Sequence, residues 1–181
     1  MIVVCSLAAI PTQIERHRVD RMVSLLGPES MIPTPPAIAP ENHLRLTLHD
    51  ICSPIEGHIL PCEDHVGELI EFVSGWRCDK PMLIHCYAGI SRSTAAAFTT
   101  MCIHEPDTDE VELARRLRKA SATATPNALI VEMADRLLGR GGRMVEAVRA
   151  IGTGQPAWEC VPFSLDVRPP QGAGTAGVAA G

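Results

Sequence analysis

Residues 81–98 read Pro-Met-Leu-Ile-His-Cys-Tyr-Ala-Gly-Ile-Ser-Arg-Ser-Thr-Ala-Ala-Ala-Phe. Met82-Leu83-Ile84 is a short apolar run behind a proline and reads as a buried strand. Ala95-Ala96-Ala97-Phe98 has good helix propensity and predicts a helix directly after Arg92. Between the two, His85–Ser93 must carry the chain from a strand into a helix. Ala88, Gly89 and Ser91 are small, so the backbone can curl and its successive N–H groups can converge. The loop ends at a helix N-terminus, where free N–H groups and the helix dipole favour an anion. It also lies at the carboxyl end of a strand, where open α/β sheets bind their ligands.

The flanking sequence supplies the rest of such a sheet. Residues 2–7 are β-branched and apolar, a buried strand, and residues 12–20 are polar and helix-compatible. Met22–Leu26 reads as a second strand stopped by Gly27-Pro28, and residues 27–41, with five prolines, as an irregular loop. His43–Leu48 alternates with period 2, a third strand. Asp64 is placed to cap a helix carrying Val66, Leu69, Ile70, Val73 and Trp76. Asp107 with Glu110 forms a capping-box pattern opening a helix to about residue 119. Thr125-Pro126 starts another that Gly139 stops, and a last helix covers 142–151. The pattern predicts an α/β fold: a central, mostly parallel sheet of four to five strands flanked by helices, with a helical C-terminal part. One domain over 1–165 and a flexible tail over 166–181, small and rich in Gly and Ala, are expected.

Composition bounds the function. The 181 residues suit one domain. A net charge of −5 and 3% aromatics argue against nucleic-acid binding by charge or by base stacking. No apolar run reaches the roughly 18 residues of a membrane span, and the apolar first ten residues lack the basic stretch of a secretory leader. Seven scattered cysteines form neither a disulfide framework nor a Cys-x-x-Cys zinc pair, so a reducing cytoplasm is expected. Most of them read as small buried apolar groups. The histidines show no metal-ligand spacing; His58 and His65 near Cys62 read as exposed loop residues. Few lysines against many arginines, with abundant Ala and Gly, is compatible with a GC-rich bacterial genome.

Within the loop, chemistry assigns roles. Cys86 opens it, so its sulfur lies at the base of a positive nest. A cysteine near a helix N-terminus and an arginine can ionise well below its usual pKa of about 8.5, giving a thiolate nucleophile. Arg92 closes the loop, and its planar fork can hold two oxygens of a tetrahedral anion. Cysteine followed by arginine six residues on is common by chance, but the whole string in a strand–loop–helix context is not.

His85–Ser93 resembles the His-Cys-x5-Arg-Ser/Thr signature of the cysteine-based protein tyrosine phosphatases. Its Ala-Gly-x-Ser-Arg-Ser form is most similar to the dual-specificity branch. Ala124-Thr125-Pro126-Asn127 resembles that branch's Pro-Asn segment, and the resemblance extends over roughly residues 1–140. It implies hydrolysis of phosphomonoesters through a phosphocysteine intermediate, with no metal or other cofactor. Cys86 is then the nucleophile. The loop residues Tyr87, Ala88, Gly89, Ile90, Ser91 and Arg92 hold the phosphate. The Ser93 hydroxyl eases departure of the thiolate, His85 tunes Cys86 through a hydrogen bond behind it, and Asn127 braces neighbouring loops or caps its helix. A general acid is expected upstream. Asp50 follows the third strand and is preferred; Asp64 is occupied as a helix cap, and Glu63 is a remote third candidate.

The expected partner is a phosphorylated protein, carrying phosphotyrosine or either class of phosphoresidue, or a small phosphomonoester. No lysine stands among the loop's variable positions, and the net charge is −5, which disfavours polyphosphorylated lipids. Two other functions fit an anion-cradling cysteine loop. One is a phosphatase-like module that binds phosphorylated partners without turnover. The other is a related thiol enzyme, a rhodanese or an arsenate reductase.

Overall fold

The apolar runs around residues 2, 22 and 82 become neighbouring strands because each is apolar on both faces, the signature of a sheet covered from two sides. The computed structural model describes residues 1–167. In chain order its elements are β1 (Ile2–Ser6), α1 (Ile10–His17), β2 (Arg21–Leu26), β3 (His43–Thr47), α2 (Glu63–Ser74), β4 (Met82–Cys86), α3 (Arg92–His104), α4 (Glu110–Ala120), α5 (Ala128–Leu137), α6 (Arg143–Ile151) and β5 (Phe163–Leu165). The sheet order is β3-β2-β4-β1-β5. The first four strands are parallel, and β5 runs antiparallel to β1.

Strand periodicity divides the core. Ile2, Val4, Val23, Leu25, Met82 and Ile84 point into a large cluster with the helices from α2 onward. Cys5, Met22 and Leu83 point the other way, onto Ile10 and Ile14 of α1 and Ile38 of the proline-rich loop. α3 is buried from Arg92 to Cys102. Its Thr99 and Thr100 satisfy their hydroxyls on the carbonyls of Ala95 (2.9 Å) and Ala96 (2.8 Å), which lets polar residues sit in a helix with no solvent face.

Several boundaries differ from the sequence expectation. Asp64 does not cap α2: the N-cap is Cys62, whose N–H donates to Nδ1 of His65 (3.2 Å), and Asp64 is exposed in the first turn. Asp107 does not cap α4 either. A turn from the Thr108 N–H to the Glu105 carbonyl (3.1 Å) delays the helix, and Asp109 caps it by accepting from Val111 (2.8 Å) and Glu112 (3.3 Å). α5 starts at Ala128, so Pro126 stands ahead of the cap rather than in the first turn. β5 follows the C-terminal helices and covers the free edge of β1. Of the expected tail, residues 168–181 lie outside the described residues.

Candidate active site

β4 ends at Cys86 and α3 begins at Arg92, so the strand–loop–helix turn falls where the sequence puts it. The loop is held by its carbonyls. Tyr87 accepts from the Leu7 N–H (3.0 Å), Ala88 from Cys160 (2.8 Å), Ile90 from Thr125 (2.9 Å) and Ser91 from Asn127 (3.3 Å). Four carbonyls thus face outward, onto three different segments. A trans peptide points its N–H opposite to its carbonyl, so the N–H groups of residues 88, 89, 91 and 92 face the hollow of the loop. The Gly89 N–H reaches Cys86 Sγ at 3.2 Å, and the Ser93 hydroxyl lies 3.2 Å from the same sulfur. Gly89 adopts φ +74°, and a Cβ there would collide with Cys160 Sγ and the Cys5 backbone.

Arg92 is 7% exposed, and its Nη1 donates to the Leu48 carbonyl (2.9 Å). Its Nε is buried without a hydrogen-bond partner. A buried guanidinium N–H left open is costly, and an anion in the hollow would satisfy it. Asp50 faces this group, with Oδ2 3.8 Å from Arg92 Nε. Its Oδ1 accepts from the Ser91 hydroxyl (2.6 Å) and from Asn127 Nδ2 (2.9 Å). Asn127 is also the N-cap of α5, its Oδ1 accepting from the Leu129 and Ile130 N–H groups (both 3.1 Å). The structure therefore brings Cys86, Arg92, Ser93, Asp50 and Asn127 together. Glu63 instead pairs with Arg136 (2.6 Å) on the surface.

His85 is fully buried, and burial pushes its imidazole down to about 4. His43 is also down to about 4, through burial and then Arg45. The Ser24 hydroxyl lies between them, 2.6 Å from His85 Nε2 and 2.8 Å from His43 Nε2. His85 Nδ1 faces the Cys86 carbonyl (3.4 Å), and His43 Nδ1 faces the Thr34 hydroxyl (2.9 Å). Since a carbonyl only accepts, His85 carries its proton on Nδ1. Ser24 then donates to His85 Nε2 and accepts from His43 Nε2–H, while Thr34 donates to His43 Nδ1. Two neutral imidazoles thus close a chain of hydrogen bonds ending on the Cys86 backbone. Sequence reading missed Ser24, Thr34 and His43; the available signal was a lone serine inside the apolar strand Met22–Leu26.

Behind the loop, burial pushes the Cys5 thiol up to about 12 and the Cys160 thiol up to about 11, with Cys86 adding to both. Both stay protonated at neutral pH and pack as small apolar groups. Cys5, Cys86, Cys102 and Cys160 are buried, as expected for most of the cysteines, while Cys52, Cys62 and Cys78 are not. Among the described residues, no group of three His, Cys, Asp or Glu side chains is arranged to hold a metal, and no helix is long and apolar enough to cross a membrane.

No family model and no curated protein matches this sequence. Solved structures do resemble it. DUSP15 aligns with a TM-score of 0.58 and 21% identity, over 83% of this chain and 89% of that one. Human DUSP28 aligns with a TM-score of 0.56 and 18% identity, over 82% and 94%. PTPMT1, solved in complex with PI(5)P, aligns with a TM-score of 0.55 and 12% identity, over 83% and 92%. Nothing in these likenesses bears on a bacterial origin. The chain has the fold of the dual-specificity members of the cysteine-based protein tyrosine phosphatases.

Proposed function

We propose that the chain is a phosphomonoester hydrolase acting through a phosphocysteine intermediate. The observation that carries this is the loop itself: carbonyls turned out, the Gly89 N–H turned in onto the Cys86 sulfur, and the buried Nε of Arg92, at the loop's end, left without a hydrogen-bond partner. That hollow matches the charge and shape of a phosphoryl dianion.

Cys86 Sγ attacks phosphorus in line, and the bond from phosphorus to the leaving oxygen breaks. The loop N–H groups and Arg92 hold the equatorial oxygens as charge spreads over them. Asp50 has Oδ1 bonded to two donors, so Oδ2 is the oxygen that carries the proton to the leaving group. Water then attacks phosphocysteine, Asp50 Oδ2 takes its proton, and inorganic phosphate leaves. The Ser93 hydroxyl, 3.2 Å from Sγ, stabilises the departing thiolate.

A phosphorylated protein or a small phosphomonoester is the substrate class we favour. PTPMT1 has been seen with a phosphoinositide, but residues 87–91 here contain no basic side chain to meet extra phosphates. A free, ionisable thiol at this position suits a reducing compartment such as the cytoplasm.

Turnover of p-nitrophenyl phosphate in EDTA tests the reading. Phosphate release is expected from the wild type and none from Cys86→Ser; full activity of Cys86→Ser would end it. Phosphopeptide binding without any release would make the chain a binding module instead.

A further inference from the structure

The segment between α6 and β5 is a strap fastened to α4, to the loop between α4 and α5, and to the back of the phosphate loop. Arg118 donates to the Gly152 carbonyl (2.8 Å), the Gly154 N–H to Thr125 Oγ1 (3.1 Å), and the Gln155 N–H to the Ala122 carbonyl (2.8 Å). Further on, Cys160 is fastened to the phosphate loop at Ala88 (2.8 Å). Between the anchors at 155 and 160 stands Trp158, 98% exposed. An indole fully in water on a loose end would mean little. This one is on a segment pinned on both sides.

Trp158 shares an open cavity of about 450 Å³ with Leu7, Ala8, Tyr87 and Glu159. Tyr87 directly follows Cys86 and is itself 62% exposed. Six large apolar or aromatic side chains are exposed among the described residues. Five of them, Ile55, Ile59, Tyr87, Trp158 and Val161, lie on the loop bearing Asp50, on the phosphate loop or on this strap. Two of these, Tyr87 and Trp158, meet at the one cavity, and exposed aromatic surface shared in this way marks a contact site. Tyrosine and tryptophan are the side chains that most often anchor one, since each buries a large area at a small cost in rotamer freedom.

We infer that Tyr87 and Trp158 form a subsite for the peptide chain flanking a phosphorylated residue, seating an apolar or aromatic side chain beside the phosphate loop. The inference rests on the phosphate-binding reading of that loop and names the substrate as a protein. Charge selects among occupants. The only charged residue lining the cavity is Glu159, and residues 87–91 carry no cation. This pairs with a basic residue in the ligand and repels an anionic lipid surface.

Two phosphopeptides separate the outcomes: acetyl-Arg-Leu-phosphotyrosyl-Leu-Arg-amide and acetyl-Asp-Ser-phosphotyrosyl-Ser-Asp-amide. In Cys86→Ser protein, the first is expected to shift tryptophan emission to the blue and the second not. The signal reports Trp158, because Trp76 is only 4% exposed. In the otherwise unaltered protein, Trp158→Ala is expected to lower kcat/KM on the first peptide about tenfold more than on p-nitrophenyl phosphate, with Trp158→Phe recovering most of the loss. Equal use of both peptides with unmoved emission would overturn the subsite. So would a blue shift with vesicles of phosphatidylcholine and phosphatidylinositol 5-phosphate but not with peptide. Absence of turnover on every substrate would count against the hydrolase reading alone, since the emission titration still decides docking.

Discussion

Asn127 donates from Nδ2 to Asp50 Oδ1 at 2.9 Å, across 77 residues of sequence, while its own Oδ1 caps α5. One side chain therefore joins the start of a helix to the proposed proton donor. The two tasks use opposite ends of the amide and can be separated. Asn127→Asp keeps the capping oxygen but replaces the donor with a second carboxylate facing Asp50. Asn127→Ala removes both. The alanine variant is expected to lose about 1 kcal/mol of stability from the cap, the aspartate variant little of that. Both are expected to lose at least about tenfold in kcat, because Asp50 is no longer held. Urea denaturation and turnover on phenyl phosphate check the pair; an Asn127→Asp enzyme of normal kcat would show that the link to Asp50 is structural only.

Asp50→Asn removes the proton but preserves the shape and its acceptor oxygen. If Asp50 protonates the leaving oxygen, the loss in kcat depends on how poor the leaving group is. A reduction of roughly 10²–10⁴-fold is expected on phenyl phosphate, and a smaller one on p-nitrophenyl phosphate, whose phenolate leaves unaided. Equal losses on the two substrates would place the role of Asp50 in holding Arg92, 3.8 Å away, rather than in proton transfer.

The buried imidazoles set an acid limit on stability. His85 and His43 are down to about 4 in the folded chain, against about 6.5 when unfolded. Between those values the unfolded chain binds protons that the folded chain does not, so stability rises with pH across the window. It is fully present above about 6.5 and is lost progressively as pH falls towards 4. For His85 alone the loss is on the order of 3 kcal/mol. Urea midpoints measured from pH 7 to pH 4 are expected to fall steadily, and a flat profile would refute neutral imidazoles. Ser24→Ala, which leaves His85 Nε2 without its donor, is expected to lower stability by about 1–3 kcal/mol already at pH 7.

Legibility in the sequence followed the range of the interactions. The phosphate loop was readable because its chemistry is compressed into nine consecutive residues between a strand and a helix. The four parallel strands were readable because burial on both faces, or period 2 in β3, marks each one locally. β5 was not, since Phe163-Ser164-Leu165 is too short for a period and becomes a strand only by meeting the free edge of β1. Asp64 and Asp107 were misread as caps because several acidic residues cluster at each helix start, and tertiary contacts choose among them. The Ser24–His43–His85 chain spans separations of 19 and 61 residues, and no local pattern reports it. Asp50 was preferred because it follows the third strand and because Asp64 was read as a helix cap, a ground the Cys62 cap removes; the bonds to Ser91 and Asn127 that hold Asp50 at the loop became visible only in three dimensions.

Gly89 supplies the sharpest test of the loop geometry. Its φ of +74° lies in the left-handed region, which L side chains rarely adopt. A Cβ would also stand 2.7 Å from the Cys5 carbonyl carbon, in the backbone of β1, which cannot step aside as a flexible side chain could. Gly89→Ala must therefore either push β1 and the Cys160 strap away or flip the peptide that directs the Gly89 N–H at Cys86 Sγ. Both outcomes damage the anion hollow. The strain costs on the order of 1–3 kcal/mol, small enough for the chain to stay folded if its stability is ordinary. Turnover is expected to fall by about 10²–10³-fold, the cost of losing a preorganised donor at the reacting charge. Vanadate, an anion of the same geometry as the phosphoryl group in transit, is expected to protect the wild type against thermal unfolding and to leave Gly89→Ala unprotected. Equal protection of the two proteins would show that the hollow does not depend on the N–H of residue 89, and failure of vanadate to protect even the wild type would force the description of the loop as an anion cradle to be abandoned.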